Sequence, residues 1–144
     1  MQLALEWLAT LSAAVFAGGA LYISVVEHPA RMKAGVTLAV AEFREMYRRA
    51  AFWQASAAAV SLVSGMLVAW MTGQWRWGLG GLLVGASIPF TLIVMMPTNR
   101  RLLGASPPGG DEAVMLLNQW GRLHWVRSIL GTLGLVVMLA SAFR

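Results

Sequence analysis

Four apolar stretches, each close to the thickness of a bilayer core, leave this chain few folds to choose from. A transmembrane helix needs about 20 mostly apolar residues, and such stretches lie at about residues 3–26, 52–71, 77–96 and 124–143. The last contains an uninterrupted apolar run of only 16 residues, Ser128 to Phe143. To reach the far interface, that helix has to draw in residues before Ser128, which brings His124 and Arg127 to the membrane boundary or just inside it. The expected fold is all-α: one domain over residues 1–144, built as an integral membrane four-helix bundle. Composition agrees, since 58% of residues are hydrophobic and 12% charged, against about 25% charged in soluble domains.

Charge placement orients the bundle. Arg31, Lys33, Arg44, Arg48 and Arg49 lie between spans one and two, and Arg100, Arg101, Arg122 and Arg127 between spans three and four. Only Arg76 and Arg144, two of the 11 basic residues, fall on the other side. Basic flanks mark the cytoplasmic face, so both termini are expected to be extracytoplasmic, in a multi-pass protein of a bacterial inner membrane. The net charge of +5 is therefore a topology signal and a contact for anionic lipid at the cytoplasmic face; nucleic acid is not an expected partner. The N-terminal stretch lacks a basic leader and carries Glu6, so it reads as a retained helix, not a signal peptide. Without cysteine, thiolate metal sites, disulfides and cysteine nucleophiles are excluded.

Packing and connections leave further marks. Gly18 and Gly19, Ser61 with Ser64 and Gly65, Gly81 and Gly85, and Gly131 and Gly134 allow close helix approach. Pro89 is expected to kink the third span. Trp7, Trp70, Trp75 and Trp77 are expected to form an outer aromatic belt. Glu42 to Arg49 is compatible with a helix continuing into span two, with Glu45 spaced to pair with Arg48 or Arg49, and Glu27 is expected to pair with one of Arg48, Arg49, Arg100 and Arg101. GASPPGGD is a break, after which Asp111 serves as N-cap of a helix running through His124 into the membrane. VVEHPARM and VMMPTNRR each set a proline and then an arginine beyond a helix end, which a duplicated two-helix hairpin would explain.

This topology gathers the reactive side chains at one depth. Glu27 and His28 end the first span, Trp53 and Gln54 begin the second, and Asn99 and Arg100 follow the third. Trp120, His124 and Arg127 fall at i, i+4 and i+7, on one helix face. Each has an ordinary reading as well. The arginines serve topology and lipid phosphate, His28 suits a helix C-terminus as a cation, and Trp53 and Trp120 suit an interface. His124 and Arg127 stand apart, because ionisable groups drawn into a span are costly and usually face a bundle interior for a purpose.

FAGGALYISVVEHP, MPTNRRL and WGRLHWVRS, on four spans, resemble the small membrane proteins of the DUF1772 family, which includes the fungal anthrone oxygenases. The resemblance covers most of the chain. Matched onto this sequence, the family's polar positions are His28, Asn99, Arg100, Trp120, His124 and Arg127. It implies monooxygenase chemistry on an electron-rich aromatic, with neither metal nor other cofactor. Such a site needs a base with a pKa near neutrality, a role for His124 or His28. It needs positive charge where an oxyanion develops, a role for Arg127, Arg100 or the Asn99 amide. It also needs an aromatic slot, which Trp53 and Trp120 can line. The expected ligand is a hydrophobic aromatic or quinone-like small molecule entering from lipid. Two alternatives stay open: haem ligated by His28, His124 or both, and a non-enzymatic role as a homo-oligomer or as a subunit of a larger membrane complex.

Overall fold

A computed structural model describes residues 1–142. Phe143, the expected end of the fourth span, and Arg144, one of the outer charges, lie outside the described residues. Four helices, Gln2–Lys33, Val36–Thr72, Trp75–Leu103 and Gly110–Ala142, are each long and apolar enough to cross a membrane, and no strand occurs among the described residues. Each packs on the next in sequence and the fourth closes on the first, while diagonal pairs touch little. The result is an up-down-up-down bundle. The end holding residue 1 and the Thr72–Trp75 turn is called here the terminal end, and the opposite one the connection end.

The helices outrun the apolar stretches. At about 1.5 Å per residue, the 37 residues of the second helix extend about 55 Å, against a hydrocarbon core of about 30 Å. The segment from Glu42 to Arg49 does continue unbroken into the second span. The fourth helix likewise runs from Gly110 through His124 without interruption. Asp111 lies in its first turn with Glu112 and does not cap it, because the helix already starts at Gly110. The tight connections on either side of the second helix use Gly35 and Gly73, with φ of 100° and 72°, values that a side chain would strain.

Two prolines shape the backbone next to the site. The first helix passes through a wider π-type turn at Ile23–Glu27 and the third through another at Thr91–Met95. Each turn is followed by an X-Pro pair, His28-Pro29 and Met96-Pro97. Proline has no N–H for the carbonyl four residues back and its ring crowds that carbonyl. The chain answers by widening the turn, and His28 N–H closes onto Ile23 O, five residues earlier. The two π-turns are both 68 residues apart, 23 to 91 and 27 to 95, which extends the VVEHPARM/VMMPTNRR echo from sequence into backbone. Pro89 acts differently: regular helix breaks at Ala86, one turn before it, and resumes at Ser87.

The core divides into two clusters along the bundle. The terminal cluster joins Ala9, Ala13, Phe16, Ala58, Trp77, Val84 and Met138, and the connection-end cluster joins Ile23, Phe43, Met95, Leu102, Leu117 and Trp120. Trp7, Trp70 and Trp75 are exposed as a belt requires, but Trp77 is buried within the terminal cluster. The correction follows from helix phase: the third helix starts at Trp75, and a residue two positions on turns about 200°, away from the face Trp75 presents. Ion pairing also departs from expectation. Glu27 pairs with Arg31, one turn along its own helix, and Arg31 also reaches Glu42. Neither Arg48 nor Arg49 takes Glu45; the remaining pair among the described residues is Arg101 with Glu112.

Candidate functional site

The fourth helix supplies the spine of the site. Trp120, His124 and Arg127 share one face of it as their spacing requires, and His124 is 1% exposed. All three line a cavity of about 160 Å³. The second helix adds Tyr47, Ala51, Gln54 and Ala55, and the third adds Thr91 and Leu92. Ala55 and Leu92 are themselves exposed, so the cavity opens sideways between the second and third helices. Thr91 and Leu92 belong to the π-turn after Pro89, where the backbone is widest.

Proton counting orients the polar groups. The Trp120 indole Nε1–H, which can only donate, bonds Asn99 Oδ1 at 3.0 Å. That fixes the amide the other way round, and Asn99 Nδ2 donates to the Tyr47 hydroxyl at 2.9 Å. Asn99 is fully buried, and with both sides of its amide engaged it braces three helices. Tyr47 Oη, accepting from Asn99, keeps its own hydrogen for the cavity. Arg127 Nη2 donates to Gln54 Oε1 at 2.9 Å, its guanidinium carbon lies 5.5 Å from the Phe16 ring centroid, and its buried Nε has no partner among the described residues. His124 bonds Ser24 through Nδ1 at 2.9 Å.

Behind Trp120 lies a second layer. His124 stacks on the indole with centroids 4.6 Å apart, and His28 meets the same ring at 5.4 Å, tilted. His28 fits there because residue 121 is glycine; a Cβ at Gly121 would run into its imidazole. Phe43 meets the indole edge-on at 5.1 Å. The Arg31 guanidinium carbon lies 5.5 Å from the Phe43 centroid and 5.7 Å from that of Trp120, while Glu27 and Glu42 balance its buried charge.

Of the residues singled out from sequence, the structure thus brings His124, Arg127 and Trp120 to the cavity. Asn99 stands one bond behind it. His28 lies on Trp120 and not in the cavity lining. The two imidazoles thus do not line one cavity together. Trp53 is 69% exposed and packs on Phe52, lining a separate shallow groove with Tyr22 and Glu27. Arg100 is exposed and takes no part in the cavity lining. Among the described residues no group of three or more His, Cys, Asp or Glu could hold a metal. Sequence reasoning missed Tyr47, Ser24 and Ser128, whose hydroxyls look unremarkable until neighbouring helices are placed. Tyr47 and Gln54 at i and i+7 were the available signal: two polar groups on one face of the second helix.

A family model described as Anthrone oxygenase matches residues 43–137. Over 68 residues the chain is 35% identical to anthrone oxygenase AgnL2 of Paecilomyces divaricatus, with 41% of this chain and 42% of that one covered. The chain thus spans less than half the length of that curated relative. No solved structure matches it. The family match takes in Tyr47, Gln54, Asn99, Trp120, His124 and Arg127, and leaves out the first helix with Ser24 and His28.

Proposed function

The chain belongs to the anthrone oxygenase family, and on that premise we propose that its lateral cavity binds an anthrone-like aromatic from the bilayer and oxidises it with dioxygen. The observation that carries this reading is the convergence of an imidazole, a guanidinium and a phenol on one cavity. A space of about 150 Å³ holds one benzene ring. One ring of a fused system then fits inside, with the remainder in the mouth between Ala55 and Leu92.

His124 is the base. It removes one proton from the methylene carbon, giving an anion delocalised onto the ring carbonyl. Tyr47 O–H and Arg127 meet the negative charge that develops there, as donors fixed before the reaction begins. The anion passes one electron to dioxygen, and the radical pair joins through a C–O bond; protonation gives a hydroperoxide. Loss of the second C–H proton breaks the O–O bond, leaving a carbonyl at that carbon and releasing water. The methylene is oxidised by four electrons and dioxygen is reduced by four, one oxygen atom ending in each product. The connection end faces the cytoplasm in this reading, with the cavity at the inner boundary of the bilayer.

Oxygen uptake by the protein in mild detergent, with an anthrone as substrate, tests the proposal. His124→Ala is expected to lower turnover about 10²- to 10⁴-fold, the range of a lost general base, and Arg127→Ala to abolish detectable uptake. Each truncation also empties buried volume and should lower the melting temperature, so uptake is compared where both variants remain folded. Full activity in both would place the chemistry elsewhere.

A further inference from the structure

Behind His124, away from the cavity, a chain of three short contacts runs into the first helix. His124 Nδ1 lies 2.9 Å from Ser24 Oγ, Ser24 Oγ lies 2.9 Å from Ser128 Oγ, and Ser128 Oγ lies 2.9 Å from Ala20 O. A longer contact of 3.3 Å links Ser128 Oγ to His124 O. Ser24 is 6% exposed and Ser128 fully buried, so no competing bulk water enters the count. A backbone carbonyl only accepts, and each hydroxyl brings one hydrogen. The Ser128 hydrogen therefore goes to Ala20 O. The Ser24 hydrogen then goes to Ser128 Oγ, and Ser24 must accept from His124 Nδ1–H. Any other assignment leaves two oxygens, or an oxygen and a bare nitrogen, at 2.9 Å with no hydrogen between them.

We infer that Ser24 and Ser128 are positioning residues that hold His124 as its Nδ1–H tautomer, leaving the Nε2 lone pair as the base at the cavity. Which ring nitrogen carries the proton is set by the bond the other makes, and here that bond terminates in a fixed backbone carbonyl. The π-turn takes part, since Ser24 lies within Ile23–Glu27 and its direction depends on the widened backbone. The inference rests on reading His124 as the base, but the tautomer itself is measurable without turnover.

The experiment is ¹⁵N NMR of the full chain in detergent micelles with ¹⁵N-labelled histidine. The protein has two histidines, and a His28→Gln background leaves the His124 signals alone. The wild-type ring is expected to be protonated on Nδ1 and bare on Nε2. Ser128→Ala frees the Ser24 hydrogen to turn onto Nδ1, so the Nε2–H form should grow. Ser24→Ala should do the same by removing the acceptor, and lower kcat about 10²-fold with KM unchanged, whereas Ser24→Thr should restore both. A wild-type ring protonated on Nε2 would overturn the inference, and so would an Nδ1–H ring unmoved by either alanine. If the tautomer behaves as expected yet no anthrone is consumed, the relay stands and the oxygenase reading falls.

Discussion

Toward the terminal end the third helix touches the second and fourth backbone to backbone beside glycines; at the connection end the helices meet on side chains that fill and bond. A Cβ on Gly134 would lie 2.7 Å from Gly80 O, and one on Gly65 2.7 Å from Trp77 O, so backbones there touch directly. Near the connection end, Asn99, Tyr47, Trp120 and Arg31 hold the helices apart at the width of aromatic rings and guanidinium groups. A bundle pinched at one end and propped at the other has room between, and the cavity lies just inside the props. Close glycine contact suits a lipid environment, where small residues let dispersion forces act between helices. Close backbone packing and the candidate site thus fall at different ends of the same four helices.

That division can be broken from either end. The largest effect is expected from Gly134→Leu, which forces a side chain against the Gly80 carbonyl and the Val84 backbone. Overpacking of this kind costs about 3 kcal/mol, and thermal unfolding in detergent should show the folded bundle lost. Asn99→Ala attacks the prop instead. It strips the buried Trp120 N–H of its acceptor, costing about 2 kcal/mol, and frees Tyr47; a lowered melting temperature with impaired oxygen uptake is expected. Tyr47→Phe removes one donor to a developing oxyanion, costing up to about 10²-fold in kcat, and also strips the buried Asn99 Nδ2–H of its acceptor, so stability measured by melting should fall by about 1 kcal/mol. Ala55→Leu fills the mouth at an exposed position, raising KM while stability changes by less than about 0.5 kcal/mol. The smallest effect belongs to Trp53→Ala, which touches neither the pinch nor the prop: turnover and melting should both match the parent. A large activity loss there would move the site from the cavity to the outer groove.

The four helices were legible because lipid imposes a length on apolar runs. The shortness of the fourth run was informative too, since it drew His124 and Arg127 inward, and both line the cavity. Facing was much less legible. In a soluble helix the polar face gives the phase, but spans apolar on all sides carry no such mark, and so Trp77, expected in the outer belt, is instead buried in the core. Arg31 looked like one more topology charge because its partner Glu42 lies across a helix connection. Ser24 and Ser128 are 104 residues apart, and nothing in either local sequence announces the other.

The π-turn at Ile23–Glu27 also works as a phase offset. One residue more than a regular helix needs is stored there, so everything beyond it is rotated about 100° from where an uninterrupted helix would carry it. Upstream, Phe16 and Ala20 face the pinched core; downstream, Arg31 faces Trp120 and Glu42. Deleting Val26, whose side chain is exposed, together with Pro29→Ala to restore the missing N–H, would return the helix to regular pitch. His28 and Arg31 would then swing off the indole toward lipid, though no contact residue had been altered. Changes confined to exposed positions would thus dismantle the interior by rotation alone.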